Sequence, residues 1–197
     1  MSDYTKARNL SWQTLIDFNI CNLPVDLNPI FYRLKIPVLS YTKSHHFISA
    51  RNLTHLANND GFSVCLNKKV IVFYNDRIRP QGRIRFTLAH ELGHILLGHL
   101  TAAEPVTRRN LGDMENGDTW ETAANIFASR LLAPAIVLHR LEITRAEDIS
   151  NLCGLSMQAA RIRAKRMAAL EARSAWLRSP MERQVDSQFD KFCREYR

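Results

Sequence analysis

Apolar residues recur along this chain in two rhythms, and the change between them divides the sequence near Pro80. Residues 10–18 and 26–34 carry apolar side chains at helical spacing, the second segment entered through Pro24 and stopped before Pro37. Residues 38–41, 63–66 and 70–74 are short, apolar and β-branched, as strands are. Asn67-Lys68-Lys69 between the last two reads as a hairpin turn. Beyond Pro80 the spacing stays helical, over segments 81–99, 119–132, 134–141, 145–153, 156–174 and 181–195. A polar loop, 113–118 (DMENGD), is expected between the first two of these helices. Strands early and helices late predict an α+β fold with a small antiparallel sheet and a helical C-terminal part. The division falls at 1–142 and 143–197.

Composition narrows the class without naming a chemistry. At 197 residues, 46% hydrophobic and 23% charged, the chain can bury a substantial core, and disorder is expected only at its ends. Residues 1–9 (MSDYTKARN) lack the apolar stretch of a signal peptide, and no run of about 18 apolar residues suggests a membrane span. Cys21, Cys65, Cys153 and Cys193 have no paired spacing, so they read as reduced thiols in a cytoplasmic protein rather than as disulfides or a cysteine zinc site. The net charge of +8 hints only weakly at nucleic acid or an acidic partner.

The chemistry concentrates in residues 83–99, RIRFTLAHELGHILLGH. His90-Glu91-Leu92-Gly93-His94 is an HExxH pattern. Helical residues four apart differ by only about 40° in direction, so both imidazoles can meet one cation. Neutral imidazole suits Zn²⁺, and Glu91, the next position round, can act as base toward a water activated by that ion. Ile84, Leu88, Leu92, Ile95 and Leu96 form an apolar stripe that leaves the two histidines to one side.

A catalytic zinc site needs a third protein ligand. His99 is set aside, because nine residues beyond His90 is about 180° round the helix. Glu121 is the better candidate. Trp120, Ala123, Ala124, Phe127, Ala128, Leu131 and Leu132 repeat at helical spacing, and Glu121 falls inside that apolar arc, where a carboxylate needs a cation or hydrogen bonds. Asn125, one turn on, can orient a liganding histidine. The competing reading makes Asp118 an N-cap and Glu121 its capping-box partner. Asp113, Glu115 and Asp118 are fallback ligands. Manganese could replace zinc on the same ligands.

Residues 70–94 (VIVFYNDRIRPQGRIRFTLAHELGH) with 121–134 (ETAANIFASRLLAP) resemble the ImmA/IrrE family of zinc metallopeptidases, and the likeness extends over about residues 20–165. It implies a fold with zincin-like active-site helices, the ligands His90, His94 and Glu121, and Glu91 as general base. Ala123 stands where the family often has Glu or Gln, a position that is not a ligand. The resemblance also implies a helix-turn-helix repressor as the substrate, whose cleavage regulates transcription, often within a mobile element.

Several further roles are open at this level. Tyr74, His45 and His46 are candidate oxyanion donors, and the edge of strand 70–74 could pair with an extended substrate. Residues 147–167 look like a helix-turn-helix, with Gly154 at the turn and Ser156 as the next N-cap. Arg161, Arg163, Lys165 and Arg166 on its second helix could contact DNA, although a helical cap packed on the rest of the protein fits as well. The alternative to an enzyme is therefore a DNA- or repressor-binding regulator with a non-catalytic metal site. Glu91 favours the enzyme, since a structural site has no use for a base there.

Overall fold

The computed structural model describes residues 2–100, 114–174 and 176–196. Its elements run α1 (Asp3–Asp17), α2 (Asn28–Arg33), β1 (Val38–Ser40), α3 (Tyr41–Ala50), a 3-10 turn (Thr54–Asn58), β2 (Gly61–Leu66), β3 (Lys69–Tyr74) and α4 (Gln81–Leu96). These are followed by α5 (Met114–Leu132), α6 (Ala135–Arg140), α7 (Ala146–Cys153), α8 (Met157–Glu171), α9 (Pro180–Gln188) and α10 (Asp190–Tyr196). The fold is α+β, as the patterning predicts.

The departures have local causes. Helix α1 starts well before residue 10: Ser2 caps it by accepting from the Thr5 amide, and Asp3 complements the helix dipole. Its buried face includes Ser11 and Thr14, which hide the apolar period. Their hydroxyls donate to Arg8 O at 2.7 Å and Leu10 O at 2.8 Å, so they enter the core satisfied. Helix α3 leaves no helical signal in the apolar pattern, because only Ser44 and Ile48 of it are buried; Ser40 caps it through the Lys43 amide. Helix α5 begins at Met114, inside the expected polar loop and ahead of Asp118, which is therefore not its N-cap. The segment 181–195 is two helices, broken at Phe189.

The sheet has the order β1-β3-β2. β2 and β3 form the expected antiparallel hairpin, with Ser63 opposite Val72, and β1 joins parallel to β3. The turn is two residues, Asn67 and Lys68, both left-handed at φ 50° and 62°, the conformation that matches strand twist in tight hairpins. Strand 70–74 is therefore central, hydrogen-bonded on both sides. The strand with an unpaired edge near α4 is β2, among the described residues.

Two apolar clusters flank the sheet. The smaller gathers Ile48, Leu53, Leu56, Phe62, Val64 and Phe73 beneath α3. The larger runs from α1 through α4 and α5 to α9. The stretch Thr119–Arg140 is long and apolar enough to cross a membrane, but it is 72% buried within this core.

Gly154 ends α7 in the left-handed region (φ 62°), and Ser156 caps α8 through the Ala159 amide, as the sequence suggests. This turn rests on the start of α4: a Cβ at Gly82 would lie 2.4 Å from Leu155 C and from Ser156 N. Of the four basic residues expected on a DNA-facing surface, Arg161, Lys165 and Arg166 are exposed, but Arg163 is 2% exposed and donates to the Ala133 carbonyl. Arg166 donates to the Tyr4 hydroxyl. Arg163 therefore serves packing, not phosphate contact.

This packing has two measurable consequences. Burial pushes the Cys153 thiol up to about 12, and Cys193 is buried with it, while Cys21 and Cys65 are half-buried. Thiolates are the reactive form, so iodoacetamide near neutral pH should add to Cys21 and Cys65 of the native protein and to all four cysteines in denaturant, read by intact mass. Lys68→Gly should raise the unfolding free energy by about 0.5–1 kcal/mol, because glycine removes the steric cost of a left-handed residue; urea denaturation measures it.

Candidate metal centre

Small residues decide how closely the elements here approach. At Gly93, between the two histidines of α4, a Cβ would lie 3.0 Å from Phe127 Cδ1 and 3.3 Å from Ala124 Cα. Glycine meeting alanine lets α4 and α5 pack backbone to backbone, which brings Glu121 of α5 over His90 and His94.

The resulting cluster is compact. His90 Nε2 and His94 Nε2 are 3.0 Å apart, and Glu121 places one carboxylate oxygen 3.2 Å from His90 Nε2 and the other 3.3 Å from His94 Nε2. With zinc–ligand bonds of about 2.0–2.1 Å, tetrahedral ligand atoms stand roughly 3.3 Å apart. The three residues form the described group that could hold a metal ion, and their spacing and donor chemistry suit a divalent cation of that size. The histidine side chains are only 12% and 14% exposed and that of Glu121 33%, so the cluster is sunk into the surface with an open side.

Both imidazoles are oriented from behind. His90 Nδ1 donates to Asn125 Oδ1 at 2.9 Å, so Asn125 stands where it can orient that ring. His94 Nδ1 lies 3.0 Å from His99 Nδ1. With the protons of His90 and His94 on Nδ1, both Nε2 lone pairs face Glu121. His99 is not in the cluster, but it is not turned away either. The helix ends at Leu96, Gly98 takes φ 77°, and the His99 amide donates back to the His94 carbonyl, which folds the ring against His94 and onto Trp120. A helix continued past Leu96 would not make this contact.

Glu91 is 6% exposed and receives a hydrogen bond from Ser63 Oγ to Oε2 at 2.7 Å. Nothing in the sequence marks Ser63 as part of a site. The one available signal is alternation on β2, where Gly61, Ser63 and Cys65 share one face and Phe62 and Val64 turn to the smaller core. His45 and His46 are exposed on α3 and are not part of this group. Asp113 and the side chains of Glu115 and Asp118, the fallback ligands and capping partner, lie outside the described residues.

The sequence model of the Peptidase_M78 family, described as the IrrE N-terminal-like domain, matches residues 41–165, a span that contains β2, β3, α4 and α5 and hence every residue of this cluster. Comparison with curated proteins finds no match.

The geometry makes metal affinity depend on residues that touch no metal. Asn125→Ala should weaken zinc binding by about 10–100-fold, the usual effect of removing such a partner. Gly93→Val should lower it further by separating α4 from α5. Competition with a chromophoric chelator measures both, and circular dichroism checks that the helices persist.

Proposed function

Because the chain belongs to the Peptidase_M78 family of metallopeptidases, we propose that it is a cytoplasmic zinc endopeptidase that cuts a helix-turn-helix transcriptional repressor and so relieves repression. The observation that carries the reading is the convergence of two imidazole Nε2 atoms and a carboxylate beside a separately anchored glutamate. His90, His94 and Glu121 hold the ion; zinc suits this donor set, and manganese is accepted by the same ligands.

Zinc bound there supplies Lewis acidity toward a peptide carbonyl and toward water. Glu91 takes a proton from the attacking water as the new C–O bond forms, and gives it to the amine nitrogen as the C–N bond breaks. It follows His90 directly in the chain, yet its carboxylate is held by a different element from those that orient the imidazoles. Base and ligands can therefore be fixed independently. Substrate backbone pairs with the free edge of β2, which packs against α4, rather than with β3. Backbone pairing selects few side chains, so specificity comes from recognising the folded repressor.

Intact-mass analysis of a candidate helix-turn-helix repressor from the same genome, after incubation with zinc-loaded protein, tests the reading. Wild type should produce two fragments whose masses sum to the repressor plus one water. Glu91→Gln should bind zinc normally and slow cleavage by about 10²–10⁴-fold. An intact repressor with zinc-loaded wild type would refute the proposed substrate, and equal cleavage by Glu91→Gln would refute the mechanism.

A further inference from the structure

Glu91 and Ser63 stand 28 residues apart, on α4 and β2, and their contact is wholly enclosed: Ser63 is 0% and Glu91 6% exposed. The way these elements meet explains the pairing. A Cβ at Gly61 would lie 2.5 Å from Thr87 Cγ2 and 2.9 Å from Phe73 O, so only glycine lets the helix settle this close to the strand. Two residues along β2 advance about 6.6 Å and four along α4 about 6 Å. The contact Gly61–Thr87 is therefore followed, one step on, by Ser63–Glu91. The backbone of Ser63 lies in the ladder opposite Val72, whose side chain is in the main core.

A carboxylate accepts hydrogen bonds and does not donate them, so the hydroxyl proton points at Oε2. The terminal torsion of glutamate is broad and roughly two-fold, so burial alone does not fix the plane of the carboxylate. The hydroxyl does.

We propose that Ser63 is a positioning residue for the general base: by holding Oε2 of Glu91 it reserves Oε1 as the atom that takes the water proton and delivers it to the leaving amine. This rests on the peptidase reading above. With Oε2 engaged by the Ser63 hydroxyl, Oε1 is the oxygen left to take the proton. Water loses one proton to Oε1, the amine gains it, and Ser63 keeps its own throughout. Orientation of this kind is worth much to a proton transfer, since misplacement by about 1 Å can cost on the order of 10²-fold in rate.

The test compares zinc-loaded wild type, Ser63→Ala and Ser63→Thr on the same repressor. Ser63→Ala should lower kcat by about 10–100-fold while KM stays within about twofold and the zinc content is unchanged. Ser63→Thr keeps the hydroxyl but adds a methyl at a 0% exposed position, so it is compared at matched zinc content and urea midpoint, where it should restore most of the lost kcat. Urea midpoints of wild type, Ser63→Ala, Glu91→Ala and the double variant give a readout free of activity: Ser63→Ala should lower the midpoint only where Glu91 is present. Unchanged kcat in Ser63→Ala, a loss matched by lost zinc, or additive midpoints would each overturn the role. A wild type that leaves the repressor intact overturns the peptidase reading instead, and this role falls with it. Where wild type cuts, the variants alone decide the role of Ser63.

Discussion

Everything in this site depends on how little side-chain bulk surrounds helix α4. On one side Gly61 of β2 leaves room for the Thr87 side chain of the helix; on the other, Gly93 meets Ala124 of α5 at near-contact distance. A helix so tightly flanked has almost no freedom to roll. Because His90, Glu91 and His94 lie within little more than one turn, fixing the roll fixes where all three point. The small residues contribute little to the core by area, but they set the distances on which the chemistry depends.

Around that helix the supporting contacts are distributed among separate elements. Asn125 comes from α5, His99 from the chain reversal after α4, and Ser63 from the sheet. Each reactive side chain thus has a polar partner on the side away from the cleft, as buried polar atoms require. The C-terminal helices belong to the same assembly: the α7–α8 turn rests on Gly82, and Arg163 reaches the Ala133 carbonyl just beyond α5. Both ends of the framework that carries the site are therefore braced by a region whose basic composition suggests a surface role.

What can be read from the sequence follows the range of the interactions involved. His90, Glu91 and His94 are neighbours on one helix, so local geometry suffices to find them. Glu121 and Asn125 are legible because α5 has an unbroken apolar period against which a polar residue stands out. Ser63 is not, since a serine in a strand is ordinary until the helix it faces is known. A helical projection sends His99 to the far side of α4, but the projection loses its meaning at Gly98, where the chain turns back. The alternation of a hairpin does not reveal that β3 has a third strand on its other side, because a parallel neighbour leaves no mark on that pattern. The start of α1 is obscured by Ser11 and Thr14, polar residues whose hydroxyls are absorbed by their own helix.

The two left-handed residues of the β2–β3 turn have a significance beyond closing the hairpin. A side chain's facing in a strand alternates with every residue, so a slip of one position would exchange Ser63 for Phe62 or Val64 beneath Glu91. Asn67 and Lys68 forbid that slip by fixing the register. An insertion or deletion at this turn would therefore be read out at the glutamate as a lost hydroxyl, with the HExxH sequence intact. In a lineage of such proteins the length of this turn should be inherited as strictly as the HExxH pattern, while the residues at its tip vary only among those that tolerate the left-handed conformation.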